Sequence, residues 1–427
     1  MRATAFECGG EPCDAVARGL HAFLDPTPGG LDGNGRACAD CHMPTDSFQL
    51  SPASVEARFR ILQLRRRGDP LADDPLFRPI DADDFRINGD AANDFRNLRE
   101  NGLVRITLPL PPNIRLIDPA TNAVSNETFV DVWRMVPTVN NVALTGPDAS
   151  TPVWPRDPNP IGGYQLDARI ATLQEQAMGA LANHAQIPQA PQGLLDDLAS
   201  FQRTLFTNHR VRALAAAVRD GATALPDADP RLNEREREGK AVFERACSQC
   251  HGGPGQSTPV VPVNRFSTVS SQCPRPVDTV TPARFVFEAC APGLARNART
   301  YEIVLSLPTQ GPAGIIPAGA RVRRTSSDPG RALLTGFVGG PGPFDDWDKF
   351  DVPGLRGLRA TAPYFHNNSA ATLEAVVDHY VQFFKRIEAL TAPGAAASPA
   401  ASTDGVRYDR IPRPEERAAL LAYLRKL

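Results

Sequence analysis

The sequence predicts a mainly α-helical fold in which one kind of domain occurs twice, each copy interrupted by a long β-containing insertion. Three observations carry this. Cys38-Ala39-Asp40-Cys41-His42 returns 209 residues later as Cys247-Ser248-Gln249-Cys250-His251. The Val-Pro of Val136-Pro137, with Thr145 and Pro147 after it, returns 216 residues later as Val352-Pro353, Thr361 and Pro363. Thr172-Leu173 returns after 200 residues as Thr372-Leu373. Similar spacings with drift in the loops are what an internal duplication leaves behind. The Pro/Asp/Ala-rich connector 220–231 then divides the chain into 1–219, with an insertion over about 46–135, and 232–427, with one over about 253–345.

Cys-x-x-Cys-His is the attachment sequence of c-type haem. The two thiols bond to porphyrin vinyl groups and the adjacent imidazole is the proximal iron ligand. A thioredoxin-like pair does not need the trailing His, and a zinc site would want a second Cys pair close by. Cys38, Cys41, Cys247 and Cys250 therefore read as attachment points and His42 and His251 as iron ligands. The expectation is two covalently bound haem c groups in two duplicated cytochrome c-type haem domains.

In chain order, residues 14–24 read as a short helix carrying Val16, Leu20, Phe23 and Leu24 toward the first motif. In the first insertion, Val104–Leu108 alternates as a strand does. Arg65-Arg66-Arg67 reads as a solvated patch or, more sharply, as a haem-propionate contact. Leu194, Leu195, Leu198, Phe201 and Leu205 mark an amphipathic helix closing the first copy. Residues 234–244 form a charged helix into the second motif, and strands are expected at Phe285-Val286-Phe287 and 301–307. Leu373, Val376, Val377, Tyr380, Phe384 and Ile387 give residues 372–387 one apolar stripe. Ala392–Gly405 is low-complexity loop, and Leu420, Leu421, Leu424 and Leu427 close the second copy.

A net charge of -2 in 427 residues points to no nucleic acid and no anionic membrane surface, and no apolar run approaches a transmembrane span. Outside the motifs, Cys8 and Cys13, and Cys273 and Cys290, are close enough in sequence for two local disulfides, with buried thiols as the alternative. Haem attachment and disulfides both fit the periplasm or another extracytoplasmic space. No signal peptide stands at the start, as expected if it has been removed.

The four methionines are Met1, Met43, Met135 and Met178, so a His/Met haem cannot be built for the second motif from its own half. That half offers Tyr380 on the apolar stripe, where it can equally be a core aromatic, with His379 about 100° around the helix as rival. The stretch from Val352 to Glu374, including Pro363-Tyr364-Phe365-His366-Asn367, resembles the C-terminal signature of bacterial dihaem cytochrome c peroxidases, the family that includes MauG. The resemblance spans both haem domains and leaves out the insertions. It implies a C-terminal axial ligand fourteen residues after His366, which is Tyr380. A hard phenolate favours ferric iron and lowers the reduction potential.

Aligning the Thr-Leu pairs sets Ala180 opposite Tyr380, so the first iron is expected to have an open face for hydrogen peroxide or dioxygen. The resemblance implies a Gln there, matched by Gln176, and a catalytic Glu, where this chain has Gln186. Leu166 replaces the family's Trp, with Tyr164 nearby. A neutral amide is no general base. His184 is then a substitute base or an iron ligand, with a plain loop residue as the other reading; His21 and His209 read as structural. The resemblance also implies one calcium ion between the domains, held through Asn141, Thr361 and Pro363. The expected function is a periplasmic dihaem oxidoreductase that passes oxidising equivalents to a small redox protein, a protein substrate or an organic molecule. The alternatives are a non-catalytic electron-transfer cytochrome and a haem oxygenase acting on an organic substrate.

Overall fold

The computed structural model describes residues 8–78, 80–81, 95–145, 164–256, 294–311, 314–340, 346–381 and 415–427, and it is helix-rich with small antiparallel sheets. The expected strand at Phe285-Val286-Phe287, the Cys273–Cys290 bridge and the Ala392–Gly405 loop lie outside these residues. Among the described residues no helix is long and apolar enough to cross a membrane.

The first helix, Cys13–Leu24, is anchored at its start by the Cys8–Cys13 disulfide. It buries Ala15, Val16, Gly19, Ala22 and Phe23, one face at helical spacing. That face lies across the Gln192–Arg203 helix, with Leu195, Leu198, Ala199 and Phe201 in the shared core. In the second half Glu234–Ala246 starts from a capping box, Asn233 with Glu236, and buries Gly239, Val242 and Phe243. It packs with Arg417–Leu424 through a core containing Leu420, Leu421 and Tyr423.

Both crossings place a glycine where the backbones touch. A β-carbon on Gly19 would sit 2.0 Å from the Asp197 carbonyl oxygen, and one on Gly239 would sit 1.9 Å from that of Ala419. No side chain fits at such a distance without parting the helices. Gly19→Ala and Gly239→Ala are each expected to cost about 1–3 kcal/mol, read as a fall in the denaturation midpoint. Midpoints equal to wild type would mean that the crossings are not close-packed.

The two halves also share a smaller device. Tyr164 bridges Ile170 and Tyr364 bridges Ala370, with the tyrosine N–H donating over 2.8 Å in both. A threonine follows each bridge: Thr172 Oγ1 accepts from Glu175 N and Thr372 Oγ1 from Ala375 N. These caps open the helices Leu173–Asn183 and 373–381.

The two insertions contribute strands to each other as well as to themselves. Leu103–Pro109 pairs with Phe129–Met135, as the alternation at 104–108 suggests. Ile114–Leu116, however, pairs with Arg299–Val304 of the second insertion, which pairs in turn with Arg321–Ser326. One three-stranded sheet is thus assembled from both insertions, over a core of Ile114, Leu116, Val132, Tyr301, Ile303 and Trp347. A two-stranded ribbon is marginal in water, and a third strand with a buried face removes that weakness. Arg134 ties the layers together: its guanidinium donates to Asp328 over 2.6 and 3.0 Å and to Asp167 over 2.5 Å.

Candidate active site

One continuous cavity of about 490 Å³ runs between the two Cys-x-x-Cys-His motifs. Cys38, Cys41 and His42 line it from the first motif, and Cys247 and His251 from the second. The first motif sits on a single helical turn, Cys38–Cys41, whose Asp40 carboxylate accepts from the Ala37 N–H. Burial pushes the Cys38 thiol up to about 11 and the Cys41 thiol up to about 12. Among the described residues, no cluster of three His, Cys, Asp or Glu side chains could hold a bare metal ion.

The two imidazoles are held alike. His42 Nδ1 lies 3.2 Å from the Phe48 carbonyl, and His251 Nδ1 lies 3.2 Å from those of Gln256 and Pro353. A carbonyl only accepts, so Nδ1 carries the proton and the lone pair is on Nε2. Burial lowers both rings to about 4, with the carbonyl contacts opposing it in part. A neutral imidazole oriented through its other nitrogen is the form that ligates iron. The residues present fit haem c on these grounds: paired cysteines lining the cavity, neutral imidazoles and a mostly apolar wall.

The opposite walls of the cavity differ. On Leu173–Asn183 the residues Leu173, Gln176, Ala177, Ala180, Leu181, and His184 just beyond, form the face that lines it. On 373–381 the lining residues are Val376, Val377 and Tyr380, the positions matching Gln176, Ala177 and Ala180. The Tyr380 ring is 6.5 Å from that of His251, centre to centre and at 88°. His379 is buried outside the lining, packed 4.9 Å from Phe365. Tyr380, and not His379, therefore faces the cavity.

Several expected site residues stand elsewhere. Gln186 is exposed and absent from the cavity wall. Its φ of 58° puts it in a left-handed turn, and buried Ala185 and Ile187 on either side throw its side chain outward. Arg65-Arg66-Arg67 is exposed and takes no part in the cavity, as the solvated-patch reading expects. Asn141 is buried, but its Oδ1 accepts from the Thr207 N–H and its amide donates to the Arg356 carbonyl. The Thr361 hydroxyl donates to Leu358 O, and Pro363 lines the cavity. The Asn141 side chain is thus engaged by protein partners. Leu166 does line the cavity, beside Tyr164.

Two groups on the wall were not singled out as site residues from the sequence. Asp81 is 4 % exposed and accepts from His184 Nδ1 over 2.9 Å and from Arg36 over 2.6 Å. His366 is 7 % exposed and stacks on Phe350 at 3.7 Å, and its Nε2 has no hydrogen-bond partner among the described residues. Burial lowers His366 to about 4. An unfolded His titrates near 6.5, so a lowered native value gives stability that is present above about pH 6.5 and lost as the pH falls toward 4. His366→Asn cannot take up that proton, so its denaturation midpoint should fall less steeply than wild type over that range. Parallel curves would show that His366 is not held neutral.

No family model matches the sequence, and no curated protein matches it. The structure is similar to that of a MauG-like protein associated with microbial copper homeostasis, at 17 % identity and a TM-score of 0.43, over 100 % of this chain and 91 % of that one. It is similar also to the diheme peroxidase BthA from Burkholderia thailandensis E264, at 16 % identity and a TM-score of 0.43, over 98 % and 86 % of the two chains. MauG-like and dihaem peroxidase structures are thus what this chain resembles.

Proposed function

We propose that the chain is a dihaem c-type oxidoreductase of the peroxidase/MauG kind, with unequal haems in halves 1–219 and 232–427. The observation that carries it is the single cavity joining two Cys-x-x-Cys-His motifs whose facing walls differ, Ala180 on one side and Tyr380 on the other. When bound, the haems supply the iron redox chemistry for reducing peroxide and sharing oxidising equivalents. The chain's own residues do the rest. Cys38, Cys41, Cys247 and Cys250 anchor the groups, and the carbonyls of Phe48, Gln256 and Pro353 fix the orientation of His42 and His251. Ala180 leaves space beside the first motif, where Gln176 and His184 are the polar groups on the helix face. Tyr380 offers its phenol to the second motif. Apolar lining by Leu173, Leu181, Val376 and Val377 keeps water out of the space between.

The matching glycine crossings, tyrosine bridges and threonine caps support two copies of one haem domain. The Cys8–Cys13 bridge and covalent haem attachment fit an extracytoplasmic site, with a small redox protein or a protein substrate as partner. Exposed Gln186 and apolar Leu166 favour the electron-transfer cytochrome as the second reading. Stopped-flow mixing of the ferric protein with hydrogen peroxide separates the two. A spectral change complete at about one equivalent supports the enzyme, and inertness to excess peroxide leaves the electron carrier.

A further inference from the structure

We propose that Asp81, paired with Arg36, is a positioning residue for His184, making its Nε2 the proton acceptor that Gln186 cannot be. This deepens the peroxidase reading and rests on it. The three side chains come from separate stretches of chain and all line the cavity that His42 also lines. Asp81 has one oxygen on each partner: Oδ1 faces His184 Nδ1 at 2.9 Å and Oδ2 faces Arg36 at 2.6 Å. A carboxylate only accepts, so Nδ1 donates and the lone pair of the neutral ring is on Nε2. The arrangement follows the logic of a catalytic triad, where a buried Asp fixes the tautomer and steadies the imidazolium that forms.

The backbone is gripped as well. The His184 carbonyl accepts from Asn34 Nδ2 over 2.8 Å and from Arg36 over 2.9 Å. Arg36 further donates to the carbonyls of Pro75 and Arg78, so the guanidinium holds Asp81 and His184 in one frame. The His184 side chain is only one-third exposed, against 5 % for that of Asp81. It is the member of the group that can meet a small solute.

In the step assigned to it, His184 Nε2 takes a proton from one oxygen of hydrogen peroxide and returns it to the other. That second oxygen leaves as water when the O–O bond breaks. The remaining oxygen becomes a second water with two electrons from a one-electron redox protein and two protons from solvent. Asp81 takes no proton itself.

The test uses the haem-loaded full chain. His184→Gln should slow the peroxide reaction by about 10²–10⁴-fold, and Asp81→Asn by roughly 10–100-fold, the range for outer partners of a functional imidazole. The double variant should be no slower than His184→Gln alone, because the two act as a unit. Cyanide binding, in which HCN must shed its proton, should slow in the same order. Nitrogen NMR of the ¹⁵N-histidine-labelled ferrous carbonmonoxy protein should find the His184 proton on Nδ1, a result that needs no variant to fold. Wild-type rates in Asp81→Asn, additive losses in the double variant, or a proton on Nε2 would each overturn the proposal. A wild type inert to peroxide, whose cyanide rate still falls in Asp81→Asn, would defeat the peroxidase reading and leave the pair standing.

Discussion

Replacing Arg134 by alanine is expected to cost about 3–5 kcal/mol of stability, the range for breaking a buried ion pair from one side. Arg134, Asp167 and Asp328 are 3 %, 0 % and 1 % exposed, so the variant would strand two carboxylates away from water. Arg169, 3.0 Å from Asp167, and the Gly330 N–H on Asp328 would remain to offset them in part. Burial alone would raise the Asp167 carboxyl, but the Arg134 and Arg169 charges outweigh it and hold it below the usual range. In the wild type, stability from that lowered value is present above the unfolded carboxylate pKa and is lost as the pH falls from there through the lowered folded value. In the variant the stranded carboxyls rise instead, and the stability they withhold at neutral pH returns on acidification. The deficit should therefore be larger at pH 8 than at pH 5 in urea denaturation. A deficit independent of pH would show that lost packing, and not stranded charge, is what Arg134→Ala removes.

Tyr380→Phe is expected to change the second haem and spare the first. Losing the phenol removes the one oxygen that the 373–381 wall presents opposite His251, and its spectrum should leave the form given by two protein ligands. Its reduction potential should rise by on the order of 0.1 V, part of the ~0.8 V span that axial ligands command. The variant keeps the ring, so the packing on Phe365 at 6.4 Å and on His379 at 5.4 Å persists and stability should change little. An unaltered second-haem spectrum in a folded variant would remove Tyr380 from the ligand set.

What could be read from the sequence was what depends on short spacing. The Cys-x-x-Cys-His pentapeptides, the helix stripe through Val16 and Phe23, the alternation at Val104–Leu108 and the local Cys8–Cys13 bridge each need fewer than a dozen residues. Tyr380 was implied only by the family resemblance, which counts fourteen residues from His366, and the helix period carries it to the cavity wall. Pairings between distant segments were not legible. Asp81 meets His184 across 103 residues, and Arg134 meets Asp328 across 194, with nothing local to announce either. The shared sheet was hidden likewise, because Ile114–Leu116 finds its partner strand in the other insertion. Gln186 shows the converse error. Matching the family's Glu position put it at the expected first haem, but a left-handed turn between two buried neighbours points it to solvent, and a matched position carries no φ angle.

The proposed inequality of two haem irons is tested most directly by low-temperature EPR of the ferric, haem-loaded protein. One high-spin signal and one low-spin signal are predicted, with Tyr380→Phe disturbing only the second. Two low-spin signals, unchanged by hydrogen peroxide, would contradict the account.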